Sequence, residues 1–190
     1  MNKQALQQLE PYDTARTSPF LELALRLKEE HDRLKALIDA LCEKSAQAAQ
    51  TARSLRAVPM MEQLRHKTER LLRELKAHAD WEENELFPVF ARYFNRRIEP
   101  TMMPSMWVLE KDHELAMMFL ESFMETSGQA VGVVLIDDHA ADAEIFEQFK
   151  RAADQLTQGC FVLKGHFQME EELLFPLVNE ILTDLDYLFS

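Results

Sequence analysis

Residues 78 to 88 read HADWEENELFP, and residues 166 to 176 read HFQMEEELLFP. A histidine, two glutamates and a closing Leu-Phe-Pro recur in the same order at the same spacing. On a helix, residues four apart leave the same face, about 40° apart around the axis and roughly 6 Å along it. His78 with Glu82, and His166 with Glu170, therefore each present an imidazole and a carboxylate from adjacent turns. Such a pair can hold one metal ion, or hold one and bridge to a second. An acid-His pair precedes each motif, Glu30-His31 in KEEHDRL and Asp112-His113 in EKDHELA. The sequence thus uses a two-helix unit twice. The candidate metal ligands are His31, His78, Glu82, His113, His166 and Glu170, converging from four helices.

The apolar phase directs these side chains inward. Glu82 shares its helix face with Leu75 and Leu86, and Glu170 shares its own with Leu163 and Leu174. An unpaired carboxylate in such a stripe costs several kcal/mol, a large share of a net stability of about 5–15 kcal/mol. A pair of metal ions compensates both carboxylates and takes the neutral imidazoles as ligands. Imidazole and carboxylate without thiolate suit iron, manganese or zinc. Two histidines per metal leave open positions, as redox or gas-binding chemistry requires. Zinc-assisted hydrolysis fits less well, because no exposed general base is evident.

Neighbouring residues have plainer readings. Glu83 and Glu171 are rotated about 100° from the ligands and are expected to be solvated or to bridge helices as ion pairs. Glu30 and Asp112 are candidate acceptors for the imidazoles, with surface charge the preferred role. His66 and His139 are expected at the surface. Cys42 and Cys160 lie in no C-x-x-C motif and are expected to be small buried residues. Trp81, Trp107, the methionines and the phenylalanines are assigned to packing.

The elements that must carry these residues read as helices. Ser18-Pro19 opens the first helix, with Leu23, Leu27, Leu34, Leu37, Ile38 and Leu41 at helical spacing to about Thr51. Val58-Pro59 opens the second, with Met61, Leu64, Leu71, Leu72 and Leu75; Pro88 ends or kinks it, and VFARYF can add a short turn. Asn95 to Pro104 reads as a connector. Pro104 opens a third helix to about Thr126, holding Trp107, Leu115, Met118 and Phe119. Ser127 to Val134, holding Gly128 and Gly132, reads as a loop. Asp137 or Asp138 is the expected cap of a fourth helix through Ile145, Phe146, Phe149, Leu156 and Leu163, where Gly159 and Gly165 are weak points. LVNEILTDLDYLF reads as a helical tail. The expected fold class is all-α, an up-down-up-down four-helix bundle over residues 18–190, with residues 1–17 as an N-terminal extension.

Composition agrees. The chain has 190 residues, 47% of them apolar, with 4 Gly and 7 Pro and few Val or Ile runs, so helix is favoured over strand. A formal net charge of −12 argues against a nucleic-acid partner and against anionic membrane. No apolar run approaches the roughly 20 residues of a spanning helix. MNKQALQQLEPYD has no apolar core of a signal peptide, and the sparse cysteines fit a reducing compartment, so a cytoplasmic location is expected.

The doubled pattern E/D-H…H-x-x-x-E-E-x-x-L-F-P resembles the hemerythrin-like, or HHE cation-binding, domain family over roughly residues 20 to 180. The resemblance implies a four-helix bundle with two non-haem iron ions bridged by oxo and carboxylate groups. His31, His78, Glu82, His113, His166 and Glu170 would be the ligands, with Glu82 and Glu170 bridging. Met117 stands four residues after His113, where the oxygen-carrying hemerythrins have a fifth histidine. The ligand pattern is more similar to that of the bacterial iron-sulfur-centre repair type. That type's additional first-half histidine has no counterpart in QTARS, and its N-terminal cysteine has none in residues 1–17. The implied function is binding of, or reaction with, dioxygen, nitric oxide or peroxide, in sensing, stress protection or iron supply, by a monomer or homodimer. The alternative is a metal-stabilised bundle serving as a protein-interaction or iron-storage module.

Overall fold

The computed structural model describes residues 19–51, 56–94, 102–136 and 143–189. Among them there is no strand. Helix α1 spans Pro19–Thr51 and α2 spans Ala57–Trp81. A π-helical turn, Glu82–Leu86, joins α2 to the short α3, Phe87–Phe94. Helix α4 spans Met102–Ile136 and α5 spans Ala143–Phe189. The chain is all-α, a four-helix bundle as expected. The proposed extension 1–17, the Asp137/Asp138 cap and His139 lie outside the described residues.

The chain divides into two compact units, Arg33–His166 and a smaller one from residues up to Asp32 and from Phe167 onward. In the larger unit, side-chain contacts fix the direction of each helix pair. Arg33 meets Glu74 (3.1 Å) and Thr51 meets Met60 (3.7 Å), so α1 and α2 are antiparallel. Arg65 bonds the Met124 carbonyl and Ser127, while Glu82 faces His113, which makes α2 and α4 antiparallel. Asp39 meets Lys164 and Ser45 meets Thr157, which does the same for α1 and α5. Leu34, Ile38, Leu41, Leu64, Leu71, Leu75, Leu120, Phe123, Phe149, Leu156 and Leu163 are fully buried. The smaller unit buries Ala24, Leu27 and His31 from α1, and Phe167, Glu170, Leu174 and Val178 from α5, both at helical spacing.

Two readings of the third helix are corrected. Ser127 to Val134 is not a loop, because α4 runs unbroken to Ile136. Gly128 is there for space, not for a turn: a Cβ on it would lie 2.7 Å from the Arg65 guanidinium, which occupies that surface. The packing role assigned to Trp107 and Met118 is also corrected, and Leu115 behaves as they do. Those are exposed, and Leu109, Ala116, Leu120 and Phe123 are buried instead. Helix α4 carries apolar side chains all round, so its periodicity does not single out a face.

Gly159 marks a close approach rather than a break. An added Cβ would come within 3.1 Å of Leu120 and 3.2 Å of Phe119, so α4 and α5 touch there. Helix α5 also continues through Pro176, making the expected tail part of one helix.

Candidate metal centre

The four histidines and two glutamates singled out by the sequence are all buried, none with more than 1% of its surface exposed. In the larger unit, α2 supplies His78 and then Glu82 at the first residue of the π turn. Glu82 Oε1 lies 2.8 Å from His78 Nε2, and its Oε2 lies 3.6 Å from His113 Nε2 on α4. One carboxylate thus addresses imidazoles from two helices. The rings of His113 and His166 lie 4.2 Å apart, tilted at 56°, and His78 meets His113 edge-on at 5.8 Å. Glu82, His113 and His166 each offer a donor atom, all within 4.8 Å of one another. Metal–nitrogen and metal–oxygen bonds of about 2.0–2.2 Å place neighbouring donors about 3–4.4 Å apart, so this cluster has the size an ion needs.

The π turn was not anticipated, although part of its cause is local. Its backbone signature is the Phe87 N–H donating to the Glu82 carbonyl, five residues back. Pro88 has no N–H, and its ring crowds the carbonyl of Asn84, inside the widened turn. The Asn84 amide donates to the Asp80 carbonyl (2.6 Å). The second motif stays α-helical. There Glu172 occupies the place of Asn84, and a carboxylate has no proton to donate. Single π turns inside α-helices are frequent at functional sites.

In the smaller unit, His31 Nε2 lies 3.1 Å from Glu170 Oε2, and His31 Nδ1 lies 3.1 Å from Glu171 Oε1. The Phe167 ring packs against the imidazole at 4.5 Å. Glu171 is therefore the inter-helix partner that its phase allowed, and it is the carboxylate that orients His31. Glu30 turns instead to Arg26 (2.8 Å). The corresponding glutamate of the first motif, Glu83, is exposed. Partial burial and the carboxylates of Glu110, Asp80, Glu114 and Glu82 push its pKa upward. Identical motif positions thus do different work.

The remaining residues fall as follows. His66 is exposed and Trp81 is buried, with its ring 6.2 Å from that of His78. Trp107 is 59% exposed and cannot line the cluster. Cys160 is buried and Cys42 is partly exposed; both are free thiols. Among the described residues, no helix is long and apolar enough to cross a membrane.

Four buried imidazoles and two buried carboxylates on a helical scaffold define a metal-binding helical protein. The Hemerythrin HHE cation binding domain model matches residues 24–132, and the chain belongs to that family. No curated protein and no solved structure matches it.

Proposed function

We propose that His31, His78, Glu82, His113, His166 and Glu170 are the residues that would hold two non-haem iron ions. The protein would use them to bind or react with dioxygen, nitric oxide or peroxide, in a cytoplasmic role of sensing, stress protection or iron supply. Zinc or manganese are the alternative ions. The observation that carries the reading is Glu82, whose two oxygens face imidazoles of two different helices (2.8 and 3.6 Å). Glu170 stands toward His31 as Glu82 stands toward His113, so the doubled sequence yields two like pairs. Bound iron would supply redox electrons and open coordination positions. The chain's own groups do the rest. Glu171 holds the Nδ1 proton of His31 and leaves Nε2 free to ligate. Phe167 and Trp81, packed against the imidazoles, keep bulk water away. Met117, in place of a fifth histidine, argues against reversible oxygen carriage.

Metal analysis and an anaerobic visible spectrum, on protein from iron-supplemented cells, test the proposal. The expected result is about two irons per chain with a near-ultraviolet band that changes on reduction or nitric oxide addition. Zinc alone, or no metal and no such band, removes the gas and redox reading.

A second reading, a metal-stabilised interaction module, is favoured by the outer face of α4. Trp107, Leu115, Met118, Val133 and Ile136 are exposed along it. Glu110, Glu114, Glu121 and Glu125 form one edge, so the occupant it suits is a basic amphipathic helix. Such a peptide should bind in the micromolar range and lose affinity with salt; salt-independent binding would remove the charge argument.

A further inference from the structure

Between α1 and α5 of the larger unit, polar side chains pair in successive rungs. Asp39 Oδ1 meets Lys164 Nζ at 2.6 Å. Two turns on, Ser45 Oγ and Thr157 Oγ1 are 2.7 Å apart. The position between them, three residues from Asp39 and from Ser45 on α1, and four and three residues from Lys164 and Thr157 on α5, is taken by Cys42 on α1 and Cys160 on α5. Cys42 and Lys164 both lie near enough to Cys160 to bear on its thiol proton. Two short hydroxyl side chains in direct contact hold the helix backbones close. A disulfide needs Cα atoms about 4.4–6.8 Å apart, a span that only such a close seam provides.

We infer that Cys42 and Cys160 are an oxidisable dithiol pair across the α1–α5 seam, converted by a hydroperoxide into an intramolecular disulfide. The two thiols differ in access. Cys42 is partly exposed and Cys160 is buried, its pKa pushed up to about 12 by burial. Cys42 therefore reacts first. Its sulfur attacks one peroxide oxygen and the O–O bond breaks, giving a sulfenic acid and an alcohol or water. The Cys160 sulfur then attacks the Cys42 sulfur, the S–O bond breaks, and water leaves with the Cys160 proton. Two thiols supply the two electrons that reduce one peroxide. The resulting bond would enclose residues 43–159, and with them His78, Glu82 and His113.

The test treats the full-length, metal-loaded protein with hydrogen peroxide, then denatures it in N-ethylmaleimide and measures intact and peptide masses. The expected product is a single chain without label, two hydrogens lighter than the reduced protein, with the Cys42 and Cys160 peptides joined. In Cys42→Ser, Cys160 should remain fully labelled after the same treatment. Labelling of both cysteines in the wild type, a sulfinic acid on Cys42 beside a labelled Cys160, or disulfides only between chains would each overturn the inference.

Discussion

His31 Nδ1 lies 3.1 Å from Glu171 Oε1, while Nε2 of the same ring lies 3.1 Å from Glu170 Oε2. A neutral imidazole has one N–H. Donated to Glu171, it leaves the Nε2 lone pair as the ligating atom. Replacing Glu171 by Ala is expected to lower metal affinity about 10–100-fold, as loss of such orienting partners commonly does. Glu171→Gln should recover most of it, because the amide oxygen still accepts. Competition with a chelator measures both; unchanged affinity in Glu171→Ala would mean that packing alone orients the ring.

The two buried glutamates should behave alike and differently from their neighbour. Glu82→Ala and Glu170→Ala are each expected to lose most bound metal, whereas Glu83→Ala, altering an exposed side chain, should retain it. Metal-to-protein ratios after desalting decide this. Equal loss in Glu83→Ala would contradict the inward direction of the Glu82 face.

Metal occupancy should depend on pH in one direction. Protons compete with metal for imidazole nitrogen, so the centre is expected to empty as pH falls below about 6. Metal content after equilibration across pH 4 to 8 follows the loss. Full retention at pH 4 would argue against histidine ligation.

Cys160 makes an alkaline prediction. Burial raises its pKa from 9.0 to about 12, so the folded state holds the thiol proton more tightly than the unfolded state. Its contribution is whole below pH 9 and is lost as pH rises through the interval to about 12, roughly 4 kcal/mol at the limit. Urea midpoints between pH 8 and 11 should fall less steeply in Cys160→Ala than in the wild type. Parallel slopes would show that the thiol does not carry this limb.

Two glycines should respond with opposite signs. A Cβ at Gly132 would meet nothing within 4 Å, so Gly132→Ala should stabilise α4 by about 0.5–1 kcal/mol. At Gly159 the added atom would lie 3.1 Å from Leu120 and 3.2 Å from the Phe119 Cβ, so Gly159→Ala should destabilise by about 1–3 kcal/mol. Thermal melts of the two variants separate the cases; stabilisation by both would mean that α4 and α5 are not in contact at Gly159.

Much of the candidate site was legible because its spacing is local. His78 with Glu82 and His166 with Glu170 are i, i+4 pairs, and their phase with Leu75, Leu86, Leu163 and Leu174 marked the buried face; all four leucines are fully buried. Helix α4 was less legible. Trp107, Leu115 and Met118 are as apolar as the residues it buries, so hydrophobicity did not distinguish inside from outside. His113, whose inward direction follows from the ligand pattern, would have set the phase correctly toward Leu109, Ala116 and Leu120.

The sequence by itself determined the helices, the doubled ligand motif and the inward face of each His-Glu pair, since these depend on contacts between residues no more than a few turns apart. Only the tertiary structure decided what lies across each seam. Glu83 and Glu171 occupy the same motif position, yet one is exposed and the other meets His31. Gly128 lies inside a helix, and the Arg65 guanidinium occupies the room of its missing side chain. The pairing of Ser45 with Thr157 likewise depends on the register of α1 against α5. Register between helices is set by the summed packing of whole faces, which no local pattern encodes.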